Sequence, residues 1–161
     1  MSGKQDQLRE GFARNLWVIK QQTKGLNHDD ALKQPPFRGN CMNWVLGHLL
    51  ESRNRVLGLL GQDQNISDQE MARYAAGSEP VVADGPDVIS LDELLKRFEQ
   101  SQERIEAGLR ATSDDKMAEV VDTERNSTRD DHVFFLYFHD TYHAGQTELL
   151  RQLAGTDDHV I

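Results

Sequence analysis

The sequence predicts an all-α protein, a four-helix bundle that forms one domain over residues 1–161. Apolar residues recur at helical spacing in four separate stretches, whereas no stretch combines strand-like alternation with flanking hairpin turns. A chain of 161 residues can bury one sizeable core without disulfides. The sequence contains no internal repeat and no linker typical of a domain boundary. Four helices joined by loops therefore account for the pattern.

The first helix is predicted over about residues 5–24. Its apolar residues follow one another at steps of four, four and three positions: Leu8, Phe12, Leu16 and Ile19. This spacing puts them on one face of a helix, so the polar positions face water. The stretch that follows is predicted to be a loop, because the pair Pro35 and Pro36 cannot continue a helix.

The second helix is predicted over about residues 41–60. Gly39 and Asn40 are typical of a turn before a helix, and Gly61 is the residue type preferred just after one. Its inward positions carry apolar side chains: Met42, Val45, Leu46, Leu49, Val56 and Leu60.

Residues 61–90 lose the helical spacing and contain several glycines and prolines, which predicts a long connection. Such a length is unusual for a loop in a compact domain, but it suits a connection that crosses a bundle from end to end. We expect one short turn of helix within it, at about residues 69–75.

The third helix is predicted over about residues 91–111, because Ser90 and Glu93 have the spacing of a capping box. Its apolar stripe consists of Leu91, Leu94, Leu95, Phe98, Ile105 and Leu109. The polar residues 112–126 are predicted to form a loop. The fourth helix is predicted over about residues 128–154, with Ser127 or Thr128 able to cap its start.

His139 and His143 lie four positions apart in the fourth helix, so both rings point the same way and can reach one metal ion. A helical wheel predicts that the pair points into the core and that Asp140 faces solvent, so Asp140 is not assigned as a base. The wheel places Phe135, Tyr142, Gln146, Leu150 and Leu153 near the pair, and Asp140, Ala144, Glu148 and Arg151 opposite. An isolated pair at this spacing also arises by chance, so a third ligand is needed.

His48 is the best candidate for that third ligand, because it lies in a predicted helix. It flanks the apolar stripe, and Gly47 beside it leaves room for a close approach. A partly exposed histidine without a special partner is an equally good interpretation. The remaining histidines are not assigned to a site because they lie in a loop, at a helix start and in the tail: His28, His132 and His159.

Other polar residues have two interpretations each. Gln146 either orients a ligand from behind His143 or is a core glutamine. Tyr74 and Ser78 either line the mouth of the site or are ordinary loop residues. Cys41 is interpreted as a small core or boundary residue, since a lone cysteine is seldom a nucleophile.

Composition excludes several classes of protein. The 27 acidic side chains outnumber the 18 Lys and Arg, and the net charge of -9 disfavours nucleic acids and anionic membranes. A single cysteine excludes an internal disulfide and a multi-thiolate metal site. Without a secretory signal or a long apolar run, a cytoplasmic protein is expected.

Three motifs together resemble the DinB/YfiT-like family of metalloproteins, which is distinct from the DNA polymerase that shares the DinB name. They are NWVLGH at residues 43–48, ARYAAGSEP at 72–80 and HDTYHAGQ at 139–146. The resemblance covers nearly the whole chain. It implies up-down-down-up helix order with the long crossover between helices two and three, a metal site of His48, His139 and His143, and a homodimer.

The resemblance also implies a function, since characterised relatives include bacillithiol S-transferases and mycothiol-dependent maleylpyruvate isomerase. We expect a metal-dependent thiol S-transferase or hydrolase that acts on a small electrophilic substrate, with a low-molecular-weight thiol as a candidate partner. Zinc and nickel suit imidazole ligands best, and iron and manganese stay open. The alternatives are a non-enzymatic metal-binding or ligand-binding stress-response protein and a metal-free dimeric bundle.

Overall fold

The computed structural model describes residues 3–156 and residue 158, and this part of the chain is mostly helical. It contains seven helices and one small antiparallel sheet. The elements in chain order are α1 Lys4–Thr23, α2 His28–Ala31, α3 Met42–Leu59, α4 Asp68–Arg73, α5 Leu91–Ala111, α6 Asp114–Met117, β1 Val120–Asp122, β2 Ser127–Thr128 and α7 Arg129–Leu153. The prediction of a predominantly helical protein is confirmed.

The four long helices α1, α3, α5 and α7 begin and end within one residue of the predicted bounds, because the sequence carries strong stop and start signals. Thr128 and Asp131 form a reciprocal capping box at the start of α7. The Ser90 hydroxyl accepts the backbone N–H of Glu93 at the start of α5. After α3, Gly61 has a positive φ of 67°, which a residue without a Cβ adopts at little cost.

Short elements lie in two stretches that were predicted to be loops. Asn27 and Asp30 cap each other around α2, and Ser113 caps α6, so side-chain hydrogen bonds hold single turns of helix that have no apolar stripe. β1 and β2 pair with Thr128 opposite Val120. The prediction that the stretches before α3 and before α7 are loops was therefore wrong, because capping hydrogen bonds and a strand pair give them short regular elements. α4 lies in the long connection, close to where a helical turn was expected.

The long helices pack in a ring, in which α1 and α3 each contact both α5 and α7. Near their starts, α1 and α7 are joined by the ion pair of Lys4 with Asp130. Near their ends, Arg151 donates to the carbonyl of Gln22 at 3.0 Å. The described residues contain no helix long and apolar enough to cross a membrane.

Specific contacts also join the ends of α3 to α5 and to α7. Asn43 at the start of α3 donates to the carbonyl of Ile89, just before α5, at 2.8 Å. Near the ends of the same two helices, a Cβ on Gly108 would lie 2.8 Å from Leu60. At the start of α7, Arg129 donates to the carbonyl of Leu59 at the end of α3.

A buried ion pair occupies the centre of the ring. Arg53 of α3 donates to both carboxylate oxygens of Asp140 of α7, at 2.9 and 3.0 Å, and both side chains are fully buried. The guanidinium lies between the rings of Phe12 and Phe98, at 5.5 and 5.1 Å from their centroids. Asn15 of α1 donates to Asp140 at 2.9 Å. This cluster therefore joins all four long helices.

The predicted orientation of α7 was wrong. The helix buries Val133, Asp140, Ala144, Thr147, Leu150 and Arg151. Phe135 and Tyr142, which the wheel placed toward the core, are 61% and 67% exposed. The core face is thus rotated by about 90° from the predicted one, at 100° per residue. The helical wheel predicted the core face from the apolar side chains of α7. Asp140 is buried nevertheless, because the buried Arg53 balances its charge.

We expect the substitution Asp140→Asn to lower the free energy of unfolding by about 3–5 kcal/mol, because it leaves the buried guanidinium of Arg53 without a counter-charge. The control is Glu99→Gln, which removes an ion pair with Lys20 in which both side chains are half exposed, and which should cost less than about 1 kcal/mol. Urea unfolding measures both. Equal losses for the two variants would contradict the central role of the ion pair.

A candidate metal centre between α3 and α7

Three histidines converge between α3 and α7. His48 comes from α3, and His139 and His143 lie one turn apart on α7; one ring nitrogen of each lies within 4.8 Å of those of the other two. The Nε2 atoms of His48 and His139 are 3.1 Å apart. His48 is buried and the other two are half-buried. The structure thus brings the three predicted ligands together, and the interpretation of His48 as a partly exposed residue was wrong.

The other nitrogen of each ring has its own partner. Nδ1 of His48 lies 2.9 Å from the backbone carbonyl of Tyr74, and Nδ1 of His143 lies 2.9 Å from Oε1 of Gln146. These oxygens only accept, so each Nδ1 donates and carries the proton. Nδ1 of His139 lies 3.3 Å from the hydroxyl of Ser52. The Nε2 atoms of His48 and His139 therefore face each other, and the contact of Gln146 with Nδ1 leaves Nε2 of His143 free for a metal ion. Gln146 thus orients a ligand ring, which was one of its two interpretations.

This arrangement fits a metal ion. Because Nδ1 of His48 carries the proton, its Nε2 has a lone pair, which at 3.1 Å from Nε2 of His139 is satisfied by an N–H of that ring or by a cation between the two. Neutral imidazoles are good ligands for zinc, nickel, copper and iron. His28 and His132 are not part of the group, and His159 lies outside the described residues. The identity of the metal does not follow from the donor set.

The surroundings hold two of the rings in the form that binds metal. Burial lowers the pKa of His48 below its ordinary value. Burial, together with the neighbouring His143 and His48, lowers the pKa of His139 to about 4. Both rings are therefore neutral near pH 7, and metal binding there does not have to displace a proton from them.

The long connection supports the centre through its backbone. The ring of Tyr74 lies against Gly47, where a Cβ would come within 2.1 Å of it. Its hydroxyl donates to Asn43 and accepts the N–H of Ile89, at 3.0 and 2.9 Å. These contacts hold Tyr74 in place, and its backbone carbonyl in turn orients the ring of His48. Tyr74 thus acts on the site through its main chain, not by lining the mouth with its side chain.

Trp44 was missed as a supporting residue. Its ring stacks on His48 with centroids 4.9 Å apart, and its Nε1 donates to the hydroxyl of Ser78 at 3.0 Å. Ser78 therefore reaches the centre only through Trp44. The signal was present in the sequence, since Trp44 precedes His48 by one helical turn and Ser52 follows it by one turn.

Cys41 is a buried thiol at the start of α3. Its sulfur lies 3.2 Å from the carbonyl of Val81, to which the S–H donates. It is not among the residues that converge on the centre. This agrees with its interpretation as a core or boundary residue.

Comparison with known proteins identifies the family and the fold. A family model described as the DinB superfamily matches residues 14–147. A crystal structure of a conserved protein from Enterococcus faecalis matches with a TM-score of 0.76 and 15% sequence identity, over 97% of this chain and 100% of that chain. At this identity the likeness shows a shared fold. No curated protein matches the chain.

We expect the metal-free protein to lose stability as the pH falls from about 6.5 to about 4. In this window the unfolded chain protonates His139, whose ordinary pKa is about 6.5, whereas the folded chain resists until about pH 4. The variant His139→Gln cannot be protonated and should lose less stability over the same window. Urea unfolding at about pH 7 and about pH 5 measures the difference. An equal loss in both proteins would argue against a neutral, desolvated His139.

Proposed function

This chain belongs to the DinB superfamily, and we propose that it is a metal-dependent enzyme, a thiol S-transferase or a hydrolase that acts on a small electrophilic substrate. The convergence of one ring nitrogen from each of His48, His139 and His143 carries the proposal. Three protein ligands leave a coordination position open, as in catalytic zinc sites, whereas structural zinc sites are usually closed by four. A divalent ion there would supply a Lewis acid that lowers the pKa of a water or a thiol.

The residues of the chain have distinct roles in this proposal. His48 forms the buried wall, since the ring of Trp44 covers one of its faces. The half-buried His139 and His143 give access from solvent. Gln146 fixes the ring of His143. No carboxylate of the described residues belongs to the cluster, so we assign no general base.

Zinc or nickel is the proposed metal, because both prefer imidazole nitrogen over the carboxylate and carbonyl oxygens that suit magnesium and calcium. A low-molecular-weight thiol is the proposed partner of the transferase reaction. The neutral state of His48 and His139 supports a site that keeps the full positive charge of the ion.

A non-enzymatic metal-binding or ligand-binding protein is the second candidate. The observation that favours it is the origin of the ligands on two different helices, because an ion held by α3 and α7 would cross-link them. In that case metal removal should cost many degrees of thermal stability while no thiol or electrophile is turned over.

We also propose the up-down-down-up order for the four long helices, with the long connection as the crossover. The contacts that support it join the starts of α1 and α7 and also their ends. The starts of α3 and α5 are joined in the same way. In contrast, the start of α7 contacts the end of α3, as antiparallel neighbours would.

A homodimer is proposed as the state in solution. An exposed stripe of large apolar residues on α7 supports it: Phe134, Phe138, Tyr142 and Leu149, with exposures between 47% and 67%. Their spacing of four, four and seven positions keeps them on one face of the helix. Large exposed apolar patches commonly mark interfaces between proteins.

We expect purified, zinc-loaded protein without an affinity tag to hold about one zinc ion per chain, because three oriented imidazoles converge on one point. His143→Ala should lose most of the metal and the turnover of thiol-conjugation or ester substrates. His28→Ala removes a histidine outside the cluster and should keep both. Metal analysis and a substrate panel are the measurements. A wild-type protein with less than about a tenth of an equivalent of zinc, or equal metal in the two variants, would contradict the metal centre.

We expect Phe138→Lys to convert a dimer into a monomer, since it places a charge in the apolar stripe of α7. Phe37→Lys is the matched control, because Phe37 is similarly exposed but lies in a loop and is not part of the α7 stripe. Sedimentation velocity measures the mass of both variants. A dimer that Phe138→Lys leaves intact would exclude the stripe as the interface.

A further inference from the structure

A groove of about 780 Å³ lies along α3 and α7 on the side of the cluster toward the start of α7. We propose that this arginine groove binds the carboxylate and the apolar body of a monoanionic small molecule whose reactive end reaches the three histidines. The inference rests on the proposed function and names the class of its substrate or thiol partner. Residues of α3, of α7 and of the stretch just before α7 line the groove, among them Arg55, Arg125, Arg129 and Phe135.

The groove is close to the three histidines along both helices. On α7, Phe135 precedes His139 by four residues, about 6 Å of helix. On α3, Arg55 follows His48 by seven residues, about 10 Å.

Arg55 has donors to offer a ligand. Its side chain is 56% exposed, and its pair with the buried carboxylate of Glu51 uses Nε and Nη2, at 2.7 and 2.5 Å. Glu51 therefore fixes the guanidinium at the groove from one side. Such an oriented guanidinium suits a carboxylate, to which it donates in a fork.

Two further cationic or polar groups lie in the same groove. Arg125 has an 82% exposed side chain, and its pair with Asp122 is long, at 3.5 Å, so it is available to a ligand. Nε2 of His132 is buried and has no hydrogen-bond partner among the described residues. Because this atom is closed off from solvent, a ligand in the groove contacts Arg55 and Arg125 and not Nε2 of His132.

The charge of the groove favours one negative charge over two. The chain carries a net charge of -9, yet three arginines line this groove. Arg129 is already committed to Glu119 and two carbonyls, and Asp131 adds a negative charge to the lining. Arg55 and Arg125 are likewise paired, with Glu51 and Asp122, so the groove offers guanidinium N–H donors without a net positive charge. A single carboxylate can use these donors, whereas a dianionic phosphate would meet stronger repulsion from the nearby carboxylates.

The groove also has an apolar wall and the size of a small-ligand site. Leu59, Leu136 and the 61% exposed ring of Phe135 line it. Its volume lies within the range of small-molecule pockets. A molecule with a carboxylate about 10 Å from its reactive atom would span from Arg55 to His48.

The test measures binding of 4-phenylbutyrate and of its uncharged analogue 4-phenylbutyramide by calorimetry. The two probes have the same shape, so only the carboxylate differs. We expect the acid to bind at least about tenfold more tightly, the ratio that one charge-assisted hydrogen bond supplies. Equal affinities for the two probes, or binding of neither, would overturn the proposal.

Variants locate the carboxylate. We expect Arg55→Gln and Arg125→Gln each to weaken binding of the acid by about 5-fold to 20-fold, while Arg14→Gln, on the exposed side of α1 and away from the groove, leaves it unchanged. Arg55→Gln leaves the buried carboxylate of Glu51 without its arginine and so can destabilise the fold. Arg125 is exposed, so its replacement should not disturb folding, and Arg125→Gln keeps the test decisive in that case. Unchanged affinity in Arg125→Gln and in folded Arg55→Gln would overturn the proposal.

The same titration on His143→Ala separates this inference from the metal centre. A carboxylate held by the groove should still bind to the variant with at most about a threefold loss, whereas a carboxylate held by an ion at the histidines should not. Retained binding supports the groove even if the metal-dependent function fails. Lost binding in folded His143→Ala overturns the groove as the carboxylate site and leaves the metal centre standing.

Discussion

The guanidinium of Arg53 lies in the centre of the four long helices, and the carboxylate of Asp140 balances its charge there. Two buried charges are costly to desolvate, and this pair compensates with two parallel hydrogen bonds, a third from Asn15 and two aromatic faces. The pair also fixes the rotation of α7 about its axis. Because His139 is the residue before Asp140, a buried Asp140 brings the His139 ring to the boundary that faces His48. The three-histidine cluster, a candidate metal centre, thus depends on an ion pair that lies outside it.

A shared metal ion also requires that the three histidine rings are held in one orientation. A histidine on a helix can rotate about its side-chain bonds, and burial alone does not choose which nitrogen carries the proton. Here a carbonyl from the long connection, a serine one turn along α3 and a glutamine one turn along α7 lie at the three Nδ1 atoms. The long connection is therefore part of the site. Gly47 makes this possible, since a side chain there would displace the ring of Tyr74.

Much of the helical framework and the grouping of the three histidines could be predicted from the sequence. Apolar spacing located the four long helices, and capping residues gave their ends. The spacing of His139 and His143 indicated that both rings could bind one metal ion. The orientation of α7 could not be predicted in this way. Its exposed aromatic residues and its buried Asp140 and Arg151 reverse the usual pattern, and only the partners on other helices explain it. A charge at the inward position of Arg53, between Leu49 and Val56 in the apolar stripe, was the available hint.

X-ray absorption of the zinc-loaded protein, combined with anomalous diffraction, tests the central claim most directly. The orientation of the three rings predicts one zinc ion bound by Nε2 of His48, His139 and His143, with three nitrogen ligands at about 2.0–2.1 Å and a further light-atom ligand from solvent. Zinc bound through Nδ1, zinc coordinated by the sulfur of Cys41, or an ion located away from these three rings would contradict the account.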